Sequence, residues 1–411
     1  MARRVLSQTA AFLAVAYAFC VTMLSTTLPT PLYPLYQEQL GFSELIVTVV
    51  FATYAAGVLL ALTAFGSVSD AIGRRRTLLP ALAAAALSAI LFLTEVDLPM
   101  LLAGRLLSGL AAGLFTGTAT AALLDLAGED SRGRASVVAT LVNMGGLGLG
   151  PLLAGLLAEY GPSPLRVTYV VDLILLAPAL VWVYRAPETV QHRSPARRPS
   201  FALPPEVRRI FAQAALSGFA GFVVLGTFTA VSPAALSEVL HESSHAVVGL
   251  VVFLVFASST AGQLLLPAFN TRTALPTGAA ALTLGALLVA TALWSRSLAV
   301  LIVGGVVAGL GQGLGFRAGM AAVNAATPAD RRASVTSVLF AVLYVGISLP
   351  VVGIGVAADA AGMRAAGIGA ALTVAAVEAI VAASLLWSPA TDAQLHHRRH
   401  PSRDQQARNV G

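Results

Sequence analysis

Four ionisable residues stand inside long apolar stretches of this sequence: Arg105, Asp172, Arg317 and Glu378. A charge at the middle of a membrane-crossing helix costs about 2.5–3.5 kcal/mol on insertion scales, so each of them needs a task or a partner. A carboxylate shielded from water can take up and return a proton. That makes Asp172, in Tyr169-Val170-Val171-Asp172-Leu173, and Glu378, in Ala375-Ala376-Val377-Glu378-Ala379-Ile380, the proton-handling candidates. Asp172 equally suits a pairing with Arg105 or Arg166 that satisfies both charges, and Glu378 suits a bond to a neighbouring helix. Arg105 lies beside a glycine-rich helix face and is expected to line a cavity. Arg317 falls near a span end, where it can snorkel to the headgroups. Uncharged candidates for a cavity wall are Tyr17, Asn143, Thr229, Gln263, Gln312 and Tyr344, each of which serves equally well as a helix–helix hydrogen bond.

Other chemistries lack their residues. Cys20 is the single cysteine, which excludes an intrachain disulfide and a multi-cysteine metal site. His241 and His245 are four apart, but a zinc site wants a third ligand, so no metal is expected. No glycine-rich phosphate loop is present, which leaves ATP-driven work unsupported. Neither an enzyme nor a cofactor is expected.

The elements that position these residues are membrane helices. Of the 411 residues, 57% are hydrophobic and 11% charged, against about 25% charged in soluble domains. The fold class read from this is all-α and integral to the membrane, with the lipid bilayer as partner and no nucleic-acid role for the excess positive charge. Apolar runs long enough to span lie near 10–28, 45–67, 77–96, 99–124, 135–158 and 166–184, and again near 210–231, 246–268, 275–294, 298–322, 334–357 and 364–387. Residues 1–184 thus form one six-helix half and 210–387 a second. Between them, 185–209 is a proline- and arginine-rich cytoplasmic linker, and 388–411 a basic tail read as disordered.

With twelve spans and both termini inside, twenty arginines fall in cytoplasmic segments and three, Arg166, Arg296 and Arg364, outside. This bias orients the chain. An internal repeat relates the halves. A shift of 200 residues aligns Gly109-Leu110-Ala111-Ala112-Gly113-Leu114 with Gly309-Leu310-Gly311-Gln312-Gly313-Leu314, and Arg134-Ala135-Ser136-Val137 matches Arg332-Ala333-Ser334-Val335 when the loop is shortened by two. Two parallel six-helix copies give pseudo-symmetry about an axis along the membrane normal.

Between the second and third spans runs Gly66-Ser67-Val68-Ser69-Asp70-Ala71-Ile72-Gly73-Arg74-Arg75-Arg76. Its spacing resembles the signature of the major facilitator superfamily of secondary transporters, with Ala71 where that family usually has a basic residue. Pro29-Thr30-Pro31-Leu32-Tyr33-Pro34 resembles the proline-rich end of the family's first helix, and Arg105 to Gly109 its fourth-helix motif. Gly146, Gly150, Pro151 and Gly155 are similar to the antiporter motif, with Val137 and Ala154 replacing two of its glycines. Pro187-Glu188-Thr189 resembles the close of the sixth helix in drug-efflux members. A second copy of the Gly66 signature, near Asn270-Thr271-Arg272, is degenerate.

The resemblance implies a cytoplasmic latch of Gly66, Asp70, Gly73, Arg74, Arg75 and Asp125, and a gate shaped by Gly146 to Gly155. It implies a bacterial inner-membrane transporter, monomeric, driven by the proton gradient and exporting a small amphipathic organic molecule by alternating access. Uptake of a sugar or other metabolite is the alternative, and a non-transporting membrane sensor a third reading. Phe12 to Leu28 carries no acidic residue, unlike many proton-driven multidrug antiporters of the family, which moves any coupling carboxylate to Asp172.

Overall fold

The computed structural model describes residues 6–65, 68–94, 97–190, 203–270, 273–328 and 331–386. Gly66, Arg272, most of the linker and the basic tail lie outside the described residues. Twelve described helices are long and apolar enough to cross a membrane. They are α1 (Gln8–Thr27), α2 (Glu44–Phe65), α3 (Arg74–Leu93), α4 (Leu98–Ala127), α5 (Arg132–Tyr160) and α6 (Pro164–Arg185), followed by α7 (Arg208–Ala230), α8 (His245–Leu264), α9 (Ala274–Ser295), α10 (Leu298–Ala326), α11 (Arg332–Ala361) and α12 (Met363–Leu386).

Local signals start and stop these helices. Ser7, Asp97, Ser244 and Ser297 accept from backbone N–H groups in the first turns of α1, α4, α8 and α10, satisfying donors that a helix start leaves free. Gly41 adopts φ 70° to end the short helix Tyr33–Leu40, which continues the first span beyond its expected end. Proline sits inside α5 at Pro151 and inside α11 at Pro350, the fifth helix of each half, and removes one backbone donor from each.

Within each half the glycine repeat does the same mechanical work. A Cβ on Gly109 would meet the Tyr54 carbonyl, so α4 lies directly on α2. One on Gly309 would meet Ser258 and the Val255 carbonyl, so α10 lies on α8. Small residues at such crossings let backbones touch. Between halves the seam is also symmetric: α5 packs on α8 and α2 on α11, the fifth helix of one copy against the second of the other.

This seam is closed at one end of the molecule. There a Cβ on Gly155 would meet the His245 carbonyl, Gly355 sits against Leu45 and Thr48, Ser43 donates to Asp359 at 3.0 Å, and Glu159 accepts from the His245 N–H at 2.9 Å and from the Ser244 hydroxyl at 3.1 Å. We call this the sealed end. The turn that carries Asp70 lies at the other.

Candidate functional site

Helix α1 organises the polar interior of the first half. Thr22, Ser25, Thr26, Thr27 and Thr30 are all buried, an unusual run of hydroxyls at the sealed-end close of an apolar helix. Ser25 donates to Asp172 Oδ2 at 2.7 Å, while the Thr26 carbonyl accepts from Arg105 Nη1 at 2.7 Å. The two buried charges therefore sit on adjacent residues of α1 without meeting. No ion pair among the described residues includes Asp172, Arg105 or Glu378. Neither pairing open to Asp172, with Arg105 or Arg166, is formed.

Arg105 is 1% exposed, so in this conformation it is enclosed and does not line an open cavity. Its guanidinium lies 5.0 Å from the Tyr54 ring centroid and 5.7 Å from that of Phe51. Aromatic faces offer partial negative charge in place of a carboxylate. Asp172 is also 1% exposed, and its Oδ1 has no partner. Thr30, Tyr33, Ser108 and Thr168 add further buried hydroxyls without partners around the same close of α1. Buried polar groups are normally satisfied, and a concentration of exceptions marks a place built for something other than stability.

The second half repeats the arrangement at another depth. Ser217 on α7 donates to Glu378 Oε2 on α12 at 3.2 Å, and Oε1 is unpartnered. Glu378 does bond to a neighbouring helix, as one of its two readings required. Ser259 donates to the Gln312 amide oxygen, and Gln263 keeps an unpartnered amide nitrogen one turn along α8.

The remaining candidates scatter. Tyr17 donates to the Leu175 carbonyl at 3.0 Å and meets Trp182 edge-on, which ties it to α6. Thr229 is buried and donates back to Leu225 of its own helix. Asn143 is half-buried on α5. Tyr344 on α11 is half-buried and meets Phe222 of α7 edge-on at 6.1 Å. Arg317 does not snorkel to the surface, because its Nη2 donates to Ser136 Oγ of the other half at 3.1 Å.

At the Asp70 end, Arg74 pairs with Asp70 and, at 3.4 Å, with Asp125. Arg75 donates to the Ala186 carbonyl at 3.4 Å. Glu188, which the sequence offered only as part of Pro187-Glu188-Thr189, anchors this turn. Its Oε1 accepts from the Arg74 N–H at 2.7 Å, capping α3 from 114 residues away in sequence. Gly73 has φ 115°, and a Cβ there would strike the Glu188 carboxylate. Thr189 donates to Asp125 at 3.1 Å. The start of the linker, just past α6, thus clasps the turn between α2 and α3, and none of these contacts involves the second half.

Gly146 and Gly150 face α1, where a Cβ would meet the Cys20 and Leu24 carbonyls, whereas Gly155 faces α8. The Pro151 carbonyl lies against Gly249. Helix α5 is thereby wedged between its own half and the other.

Twelve described helices long and apolar enough to span a membrane, in two related halves with buried polar groups between their helices, are the architecture of a membrane transporter. A family model described as Major Facilitator Superfamily matches residues 15–295, and the chain belongs to that family. It is a transporter, not an enzyme. Curated relatives include the putative multidrug resistance protein MdtD of Cronobacter sakazakii, 29% identical over 146 residues, and that of Escherichia fergusonii, 28% identical. The match covers 36% of this chain and 31% of each relative, so it spans about a third of their length. Similar solved structures include a bacterial homolog to the human lysosomal transporter Spinster in an inward-facing and unoccupied conformation. Its TM-score is 0.72 at 15% identity, over 93% of this chain and 99% of that one. The human organic anion transporter MFSD10 (TETRAN) gives a TM-score of 0.65 at 19% identity, over 92% of this chain and 100% of that one.

Proposed function

We propose that this transporter exports a small amphipathic organic molecule in exchange for protons, with Asp172 as the coupling group. The observation that carries the coupling is the setting of Asp172: buried, accepting from Ser25, with one oxygen unpartnered and no ion pair to a cation among the described residues. A carboxylate kept from water without a counter-charge is costly as an anion, which favours a group that changes protonation as access changes. Its neighbours on α1 link that change to the helix on which Gly146 and Gly150 of α5 rest.

Export is supported by the likeness to multidrug resistance proteins over 146 residues and by the efflux-type stretches Gly146–Gly155 and Pro187–Thr189. The arginine distribution supports a cytoplasmic Asp70 end, which makes the sealed end the outer one. Both termini then lie in the cytoplasm of a bacterial inner membrane.

A library of amphipathic dyes and metabolites, screened by thermal stabilisation of the purified protein, supplies a binder to follow. Inside-out vesicles with an acidified lumen should concentrate that binder, and adding it should release lumenal protons. Accumulation in right-side-out vesicles instead, with protons and solute entering together, would replace export by uptake.

A further inference from the structure

The sealed end is closed at two places, and the sequence repeats the parts. Near the close of α5, Gly155 is followed four residues later by Glu159, and a shift of 200 residues places Gly355 and Asp359 near the close of α11. A shift of 201 aligns Ser43, just before α2, with Ser244, just before α8. The fold joins these pairs crosswise between the halves. Ser244 Oγ donates to Glu159 Oε2 at 3.1 Å, and Ser43 Oγ donates to Asp359 Oδ2 at 3.0 Å. Glycine and acid are one turn apart and share a helix face, so the glycine contact brings the carboxylate to the serine. A Cβ on Gly155 would meet His245 and Gly249, and one on Gly355 would meet Leu45 and Thr48. Gly249 and Thr48 stand at the same distance along the chain past their serines.

The two contacts differ in strength. Glu159 Oε2 also accepts from the His245 N–H at 2.9 Å, a donor that the start of α8 leaves free, and His245 Nδ1 lies 3.9 Å away. At the matching position after Ser43 stands Glu44, which brings a second negative charge to the start of α2 where α8 has an imidazole; its Oε1 accepts from Gln37 Nε2 at 2.7 Å. Hydrogen bonds to an ionised acceptor are stronger than neutral ones. Both carboxylates are exposed to water, which limits what each contact contributes.

We propose that Glu159 with Ser244 and Asp359 with Ser43 are a duplicated pair of clasps that hold the sealed end shut, the Glu159 clasp being the stronger, and that the halves separate there only when both release. The fifth helix of each half carries the acid and the chain entering the second helix of the other half carries the serine. One rocking movement between the halves therefore breaks both. The inference rests on the transporter fold alone. It holds for export and for uptake.

Cys20 is the single cysteine, so in a Cys20→Ala background Thr94→Cys and Ser295→Cys place spin labels at exposed positions at the sealed-end closes of α3 and α9, one on each half. Electron–electron distance measurements on the purified full chain then read the ratio of separated to sealed molecules. Glu159→Ala should raise that ratio about ten-fold and Asp359→Ala about three-fold, the range for hydrogen bonds to a carboxylate at a wet surface. Because both clasps hold one closed state, the double variant should raise it by the product, about thirty-fold. Glu159→Gln keeps an acceptor oxygen without the charge and should fall between wild type and Glu159→Ala. An unchanged ratio in Glu159→Ala overturns the clasp between α5 and α8, and an unchanged ratio in Asp359→Ala overturns the duplication. A double variant that separates no further than Glu159→Ala alone overturns the joint release. Should Glu159→Ala not fold, Glu159→Gln alone and with Asp359→Ala decides on the same terms.

Discussion

The two halves hold a buried carboxylate by the same pair of helices, yet they surround it differently. In the first half, Asp172 of α6 takes a hydrogen bond from Ser25 of α1. In the second, Glu378 of α12 takes one from Ser217 of α7. At 1.5 Å rise per residue, Asp172 lies about 12 Å along α6 from Pro164 and Glu378 about 22 Å along α12 from Met363, so the two sit at different depths from the sealed end. The repeat partner of Arg105 is Gly305, and its space is filled by the Phe228 ring and Val255. Among the described residues, Thr30, Tyr33, Arg105, Ser108, Thr168, Asp172 and Glu188 give the first half and its linker seven buried side-chain polar atoms without partners, against two in the second half, on Gln263 and Glu378. Duplication preserved the helix crossings. It left the polar chemistry concentrated on one side.

The sharpest break of this comparison is Asp172→Asn against Glu378→Gln. If coupling resides in the polar half, Asp172→Asn reduces pH-driven transport in vesicles to background while solute exchange continues, and Glu378→Gln stays near wild type. Loss of pH-driven transport in both would make the halves functional equals.

The crossings offer the opposite test, because there the halves should respond alike. Gly109→Leu and Gly309→Leu each force a side chain into backbone of the neighbouring helix. Overpacking of this kind costs about 1–3 kcal/mol and occasionally more. Both should lower the thermal midpoint in detergent by similar amounts, and a tolerant Gly309 would show that the second half can relax.

A smaller effect is expected at the Asp70 end, which the second half does not reproduce in sequence. Glu188→Ala removes the cap of α3, a loss of about 1 kcal/mol. Asp70→Asn removes one partner of Arg74 from an exposed position, which is worth less than about 1 kcal/mol. Both should insert normally and slow transport, Glu188→Ala the more. Wild-type rates in the two would disconnect this turn from the cycle. Last in size, Arg317→Gln removes one hydrogen bond to Ser136 across the seam and should change the transport rate by less than about five-fold.

Composition and spacing were enough to reach the membrane, the twelve spans, the repeat and the family, because burial in lipid demands long apolar helices and close crossings demand glycine at fixed intervals. Gly109 and Gly309 recur 200 residues apart for that reason. The same sequence pointed to Asp172, Glu378 and Arg105 as costly residues, since an ionisable group in an apolar run is conspicuous wherever it points. Their partners were another matter. Ser25, Ser217, Tyr54 and Glu188 are unremarkable types at unremarkable positions, and nothing local distinguishes Ser25 from Ser108. Only packing decided that Asp172 meets Ser25 while Arg105 meets Thr26, one residue on, and that Arg317 crosses to Ser136 where a free side chain would reach for the surface. A hydrogen bond depends on two chain segments arriving at one point within a few tenths of an ångström, and that coincidence is a property of the assembled helices, which no single segment encodes.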